Sequence, residues 1–267
     1  MQDVEPVMVR HRPHPALRGQ LRRVTGFIEH AEAPVYRREL PGTGVTLIFG
    51  LDSEIRIGSR RGEGTYGSFV AGLHEIPVDT EHPGVYRCVQ VDLSPLGGYQ
   101  LFGVPMCELT DTVVGLEVLG RPGWRQLGDR LAETPGWDQR FQLLERTLGR
   151  WLAAGPAADP AVHWAWQRLA RSHGAVPVGQ LSAEIGWSRR HFASQFARQI
   201  GLAPKAAAQV LRFSHALELL TEPGAGTISA VAAEAGYADH SHLVREFRRL
   251  AEATPSELLA SHGRAAA

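Results

Sequence analysis

Ile228-Ser229-Ala230-Val231-Ala232-Ala233-Glu234-Ala235-Gly236-Tyr237-Ala238-Asp239-His240-Ser241-His242-Leu243-Val244-Arg245-Glu246-Phe247-Arg248 holds two short helical patterns hinged at Gly236-Tyr237. Thr227 and Asp239 precede them as N-caps, because their side-chain oxygens accept from the unpaired amides of a first helical turn. Leu243 and Phe247 lie four apart and share one face. Asp239, His240, Ser241, Val244, Arg245 and Arg248 are then the positions left to face outward.

About fifty residues earlier the same layout occurs once more. Val178 to Ile185 reads as a short helix with Leu181, Ala183 and Ile185 inward, followed by a Gly186-Trp187 turn and the N-cap Ser188. In the helix that follows, Phe192 and Phe196 replace Leu243 and Phe247, and Ser188, Arg189, Arg190, Ala193 and Ser194 are the outward candidates. A helix anchored by large apolar residues on one side, with small or basic residues on the other, fits the roughly 12 Å major groove of DNA. Pro204 and Pro255 open the helices that follow the two units. Pro204 to Leu220 reads as one spacer helix, roughly 25 Å long at 1.5 Å per residue, which suits placing two recognition helices in successive grooves about 34 Å apart.

The pattern Gly236-Tyr237-x-Asp239-x-Ser241-His242-Leu243-x-Arg245-x-Phe247-Arg248, continued by Thr254-Pro255, closely resembles the signature of the AraC/XylS family of bacterial transcription regulators. The resemblance covers roughly residues 160 to 260 and implies a double helix-turn-helix that binds double-stranded DNA, with RNA polymerase as a partner if the protein activates. Glu252 stands where that family usually has Gly, so the positive-φ helix end that Gly permits must here be strained or rebuilt. Ser194 stands where many members carry Arg, and base preference is therefore not transferred.

The whole chain, at 267 residues, has length for two cores, and its 43% hydrophobic and 21% charged composition is that of a globular protein. The formal net charge is zero, but from Pro160 onward eleven Lys and Arg stand against eight Asp and Glu, giving +3 there and −3 before it. A DNA footprint must therefore come from local Arg placement and helix N-termini. No apolar run approaches the roughly twenty residues of a membrane span, and Met1 to Glu5 lacks the basic and apolar regions of a signal peptide, so a cytoplasmic protein is expected. Cys88 and Cys107 read as ordinary buried or part-buried thiols and not as a disulfide.

Before residue 160 the reading is of an α+β protein's first half: a cupin-like β-barrel or sandwich with flanking helices. Met1 to Pro15 reads as an extended, solvated arm with the reach to lie over the barrel mouth, and Pro15 to Ile28 as a helix on the spacing of Leu17, Leu21, Val24 and Phe27 or Ile28. Strands are expected at Val35 to Leu40, Val45 to Gly50, Ile55 to Ile57, Tyr66 to Leu73 and Val85 to Leu93. An amphipathic stretch follows Asp111 to Leu119, then helices at Trp124 to Leu131 and Trp137 to Leu152. The family resemblance gives helices in this place a role in homodimerisation; capping the barrel is the competing role. Ala153 to Ala158 reads as a linker, and Asp159-Pro160 as the cap and first residue of the next helix. The division is a regulatory domain at 1–153, a linker at 154–159 and a DNA-binding domain at 160–267.

The first half gives little support for catalytic or metal chemistry. No Gly-rich segment leads into a Lys-Ser/Thr pair, and no nucleophile elbow is present. His74, Glu75, Asp79, Glu81 and His82 lack the usual metal-ligand spacing, and Pro77 and Pro83 are expected to leave several of them in loops, so no metal, no cofactor and no catalytic residue is assigned. A barrel of this size encloses one small effector, for which Phe49, Tyr66, Phe69 and Tyr86 are the candidate lining residues. Control by a protein partner, or a purely dimerising first half, is the alternative, with a cupin-type metal enzyme fused to a DNA reader a distant third.

Overall fold

A computed structural model describes residues 6–59, 61–224 and 226–265, with residues 261–265 as backbone. Met1 to Glu5, on which the signal-peptide reading rests, lies outside the described residues.

The first half is a sandwich of two antiparallel sheets under a layer of helices. Strands β1 (Val7–His11), β2 (Leu21–His30), β3 (Val35–Glu39), β4 (Val45–Gly50), β5 (Ile55–Ser59), β6 (Gly62–Tyr66), β7 (Ser68–Ala71), β8 (Val78–His82), β9 (Val85–Leu93) and β10 (Val113–Gly115) divide between them. One sheet has the order β1-β2-β9-β4-β7-β10 and the other β3-β8-β5-β6. Side-chain alternation gives the larger sheet two apolar faces. Val45, Leu47, Phe49, Val70, Val89 and Val91 pack on α1 (Pro95–Phe102), α2 (Trp124–Glu133) and α3 (Trp137–Ala153). Ile48, Phe69, Tyr86 and Cys88 face the smaller sheet's Ile55, Ile57 and Val78.

Four sequence expectations are corrected here. Pro15 to Ile28 is a short 3-10 turn at Pro15–Leu17 followed by β2, not a helix. The register of β2 on β9 shifts between Leu21 and Arg23, and this bulge puts an extra residue between Leu21 and Val24, so both point inward at a spacing of three that imitates a helix. Within β2, Gly26 is required, because a Cβ there would stand 2.4 Å from the Trp137 ring. The expected solvated arm includes β1, paired to β2 from Val7↔Ile28 to His11↔Val24. His11 stacks on Phe141 of α3 at 4.8 Å and approaches Glu145 at 3.3 Å, so this segment lies against the helix layer. Val78 to His82 is a strand despite its flanking prolines, and Val113–Gly115 is a strand where an amphipathic stretch was expected. The apolar face of α3, with Phe141, Leu144, Leu148 and Leu152, is buried on the sheet, so that face caps the sandwich.

The second half is all helical: α4 (Pro160–Arg171), α5 (Val178–Ile185), α6 (Arg189–Ile200), α7 (Pro204–Thr221), α8 (Ile228–Glu234), α9 (His240–Leu250) and α10 (Pro255–Ala265). Its core gathers Phe192, Phe196, Phe213, Leu243 and Phe247 around α7, and it also takes in Leu73 and Leu96 from the first half. The two halves are docked. Thr110 Oγ1 donates to the Gly201 carbonyl at 2.6 Å, Arg38 Nη2 donates to Glu252 Oε2 at 2.5 Å, and Arg249 Nη1 donates to Glu75 Oε1 at 3.2 Å. The segment joining α3 to α4 is not slack either: a Cβ on Gly155 would meet the Gln100 carbonyl oxygen at 1.9 Å. Among the described residues, no helix is long and apolar enough to cross a membrane.

Candidate nucleic-acid interface

In the α5–α6 unit the turn closes through local bonds. Gly186 adopts φ +77°, Trp187 N–H donates to the Ser182 carbonyl at 3.0 Å, and the Ser188 hydroxyl accepts from His191 N–H at 3.2 Å. Phe192 and Phe196 are buried with ring centroids 5.5 Å apart, which fixes the roll of α6 about its own axis. Ser188, Arg189, Arg190 and Ser194 are consequently exposed, and Ala193 is half-buried. In α5, Leu181 is buried as expected and Ile185 half-buried, but Ala183 faces solvent and Ser182 takes the inward place, its hydroxyl donating to the Gly179 carbonyl at 3.0 Å. The odd spacing 181, 183, 185 suits a strand better than a helix, and the 3.6-residue period decided the matter.

The α8–α9 unit repeats this construction. Gly236 has φ +78°, Tyr237 N–H donates to the Ala232 carbonyl at 2.8 Å, and Asp239 Oδ1 accepts from His242 N–H at 2.7 Å. Leu243 and Phe247 are fully buried, the latter edge-on to Phe213 of α7 at 4.8 Å. Asp239, His240, Ser241, Arg245 and Arg248 are exposed and Val244 is half-buried. Ser188 and Asp239 thus each hold a cap in addition to any outside contact. Among the described residues, no carboxylate pairs with Arg189, Arg190 or Arg245.

Sequence reading missed Glu246. It is buried on α9 between Arg212 of α7 and Arg249, at 4.0 and 3.9 Å; burial first, and the Glu246 carboxylate second, push the neighbouring Tyr237 hydroxyl far above its ordinary pKa. It sits one residue before Phe247, and only knowledge of the packed neighbours distinguishes it from a solvated charge. Glu252 follows α9 at φ +54°, so the chain does enter the left-handed region without glycine there. The spacer α7 spans 18 residues, or about 27 Å at 1.5 Å per residue, and both units pack on it.

The sequence profile of a helix-turn-helix domain family matches residues 181–261, which encloses both turns and both second helices. The chain carries an AraC-type helix-turn-helix domain. Ahead of this AraC-type domain, residues 9–115 match a domain of unknown function, DUF6597. Similar solved structures include ToxT from Vibrio cholerae, 11% identical over 88% of this chain and 97% of that one, with a TM-score of 0.46. ToxT of Vibrio cholerae strain SCE256 with bound unsaturated fatty acid is 11% identical over 93% and 96%, with a TM-score of 0.47. The C-terminal domain of AraT, a response regulator from Geobacillus stearothermophilus, is 17% identical over 38% and 85%, with a TM-score of 0.35. No curated protein matches this chain.

Between the sheets of the sandwich that precedes the AraC-type domain lies a cavity of about 280 Å3. Of the four expected lining residues, Phe69 and Tyr86 line it. Phe49 does not: one residue along β4 from the inward Ile48, it points to the helices and meets Trp124 at 6.2 Å. Tyr66 stands outside this cavity, beside Phe69 at 5.8 Å, and lines a neighbouring cleft. The polar lining was not anticipated. Arg37 and His82 project into the cavity and meet Glu29 of β2, Arg37 Nη2 donating to Glu29 Oε1 at 2.5 Å and His82 Nε2 lying 2.8 Å from Glu29 Oε2. Burial works to raise the Glu29 pKa, but bonds and charge from Arg37 and His82 outweigh it and hold the carboxyl below its usual range. His82 is therefore engaged, and no group of three or more His, Cys, Asp or Glu among the described residues is arranged to hold a metal ion. Cys88 is buried behind Tyr86, its thiol pushed up to about 12 by burial, whereas Cys107 is exposed and not part-buried as expected.

Proposed function

We propose that this chain is a sequence-specific transcription regulator of the cytoplasm. Residues 160–267 read DNA through α6 and α9, and residues 1–153, joined by 154–159, regulate that reading through a small effector held in the sandwich cavity. The observation that carries the first part is the paired construction: two capped helices present unpaired arginines outward while their Phe and Leu faces are locked on one spacer helix. The regulatory part rests on β3, whose successive residues face opposite ways. Arg37 points into the cavity and Arg38 reaches Glu252 at the end of α9. An effector that binds the docked and undocked arrangements unequally shifts their populations, and with them the positions open to α9.

The test is footprinting of the full chain on DNA from its own promoter region, followed by Arg190→Ala. Loss of the arginine should relax preference at one base position and cost about 1–3 kcal/mol at the cognate site. A uniform loss across sequences would reassign Arg190 to phosphate, and no preference for any site over random DNA at moderate salt would refute the reading.

A further inference from the structure

The effector reading leaves the chemistry of the ligand open, and the polar atoms of the sandwich cavity narrow it. Its interior cation is already spent. Arg37 is paired with Glu29, and His82 Nε2 lies within 3.3 Å of Arg37 Nη1 and 2.8 Å of Glu29 Oε2, so the three form one closed cluster. Glu39, the remaining charged lining residue, is exposed along part of its side chain, but burial at the cavity raises its carboxyl above the ordinary carboxylate range, which disfavours a fixed negative charge there. An anionic ligand would have to take Arg37 from Glu29 and leave a buried carboxylate unpaired, and a cationic one would face Arg37 at close range.

Two lining atoms stand outside that cluster. Among the described residues, His74 Nε2 has no hydrogen-bond partner and Tyr86 Oη has no nitrogen or oxygen partner, only the weakly bonding Cys88 thiol; both atoms are buried, on residues only 9% and 5% exposed. Burial lowers the His74 pKa and so favours the neutral ring; in the tautomer whose other nitrogen turns its proton toward the neighbouring Gly72 backbone, Nε2 is an acceptor. Burial likewise keeps the Tyr86 hydroxyl protonated, with the Cys88 thiol, a weak partner, as its polar neighbour. A buried acceptor and a buried donor left unmatched are costly, and a ligand that matches both recovers that cost. Around them the walls are apolar, with Phe27, Ile48, Ile55, Ile57 and Phe69. An apolar cavity of about 150 Å3 admits benzene, so about 280 Å3 admits a body nearly twice that size.

We propose that the sandwich cavity binds a small uncharged alcohol or phenol with an apolar body, its hydroxyl-type donor bonding to His74 Nε2 and an oxygen accepting from Tyr86 Oη. This rests on the effector reading above and commits it to one chemical class.

The test uses the full chain and four molecules that share one ring and chain: 4-phenyl-1-butanol, butylbenzene, 4-phenylbutyrate and 4-phenylbutylamine. Thermal shift and calorimetry should show the alcohol binding at least tenfold more tightly than butylbenzene, with neither ion bound more tightly than butylbenzene. Tyr86→Phe and His74→Leu should each bring the alcohol down towards butylbenzene while leaving butylbenzene itself unchanged. Tyr86→Phe removes a hydroxyl whose neighbour is the weakly bonding Cys88 thiol and is expected to fold normally. Equal binding of alcohol and hydrocarbon, tighter binding of either ion, no binding by any of the four, or a preference that survives both substitutions overturns the proposal. The effector reading fails separately, if a broad screen of charged and neutral metabolites finds none that shifts the melting temperature.

Discussion

Glu252→Gly should stabilise the protein, and by an amount that depends on Arg38. Glu252 holds φ +54°, where a side chain clashes with its own backbone at a cost of about 1 kcal/mol that glycine avoids. Against this gain stands the bond from Arg38 Nη2. The two side chains are 44% and 23% exposed, and Arg38 keeps Asp79 at 3.5 Å as a second partner, so the contact is worth no more than about 0.5 kcal/mol. Against the Arg38 bond alone the net for Glu252→Gly is about 0.5 kcal/mol of stabilisation, and in an Arg38→Ala background, where that bond no longer offsets it, the gain should be larger by about 0.5 kcal/mol. For a chain of this size ~1 kcal/mol moves the melting temperature by about 2–4 °C. A double-mutant cycle by thermal unfolding at low and high salt measures both parts. The coupling should shrink as salt rises while the backbone gain persists. If Glu252→Gly lowers the melting temperature in the Arg38→Ala background, the strain argument is wrong. If the coupling is absent at low salt, so is the latch.

The Glu29 carboxyl is held below its usual range, so it contributes stability that is fully present above its unfolded pKa and lost as pH falls through the lower folded value. Glu29→Gln should flatten acid unfolding across that interval while lowering stability at neutral pH, as followed by circular dichroism; an unchanged acid limb would show that the Arg37–Glu29–His82 cluster is not formed in solution. Gly155→Ala should destabilise the docked arrangement by more than 1 kcal/mol, since its Cβ falls 1.9 Å from a backbone oxygen that has no rotamer with which to move aside. Limited proteolysis between α3 and α4 should accelerate in that variant, and an unchanged cleavage rate would mean that the joining segment is slack.

The helix-turn-helix units were legible in the sequence because every signal that makes them is local. A cap lies one residue before its helix, a left-handed glycine one or two residues after, and the anchoring side chains four apart, all within the range that backbone geometry alone controls. The Glu for Gly exchange at 252 was legible for the same reason, and the backbone takes the left-handed conformation there. Where the expectations failed, distance along the chain was the cause. The bulge between Leu21 and Arg23 is set by the pairing of β2 with β9, nearly seventy residues on, and without that partner the spacing of Leu21 and Val24 imitates a helix. Strand β8 forms between prolines because β3 and β5 supply its hydrogen bonds. Glu29 and His82 are 53 residues apart and Arg38 and Glu252 are 214 apart, so neither the closed cluster of the cavity nor the latch to α9 leaves a periodic trace. By itself, then, the sequence determined the two reading units, their spacer and the layered character of the half before them. Which face of each strand meets the cavity, and how the two halves bear on one another, only the tertiary structure decided, because those contacts are selected by packing between segments that share no local pattern.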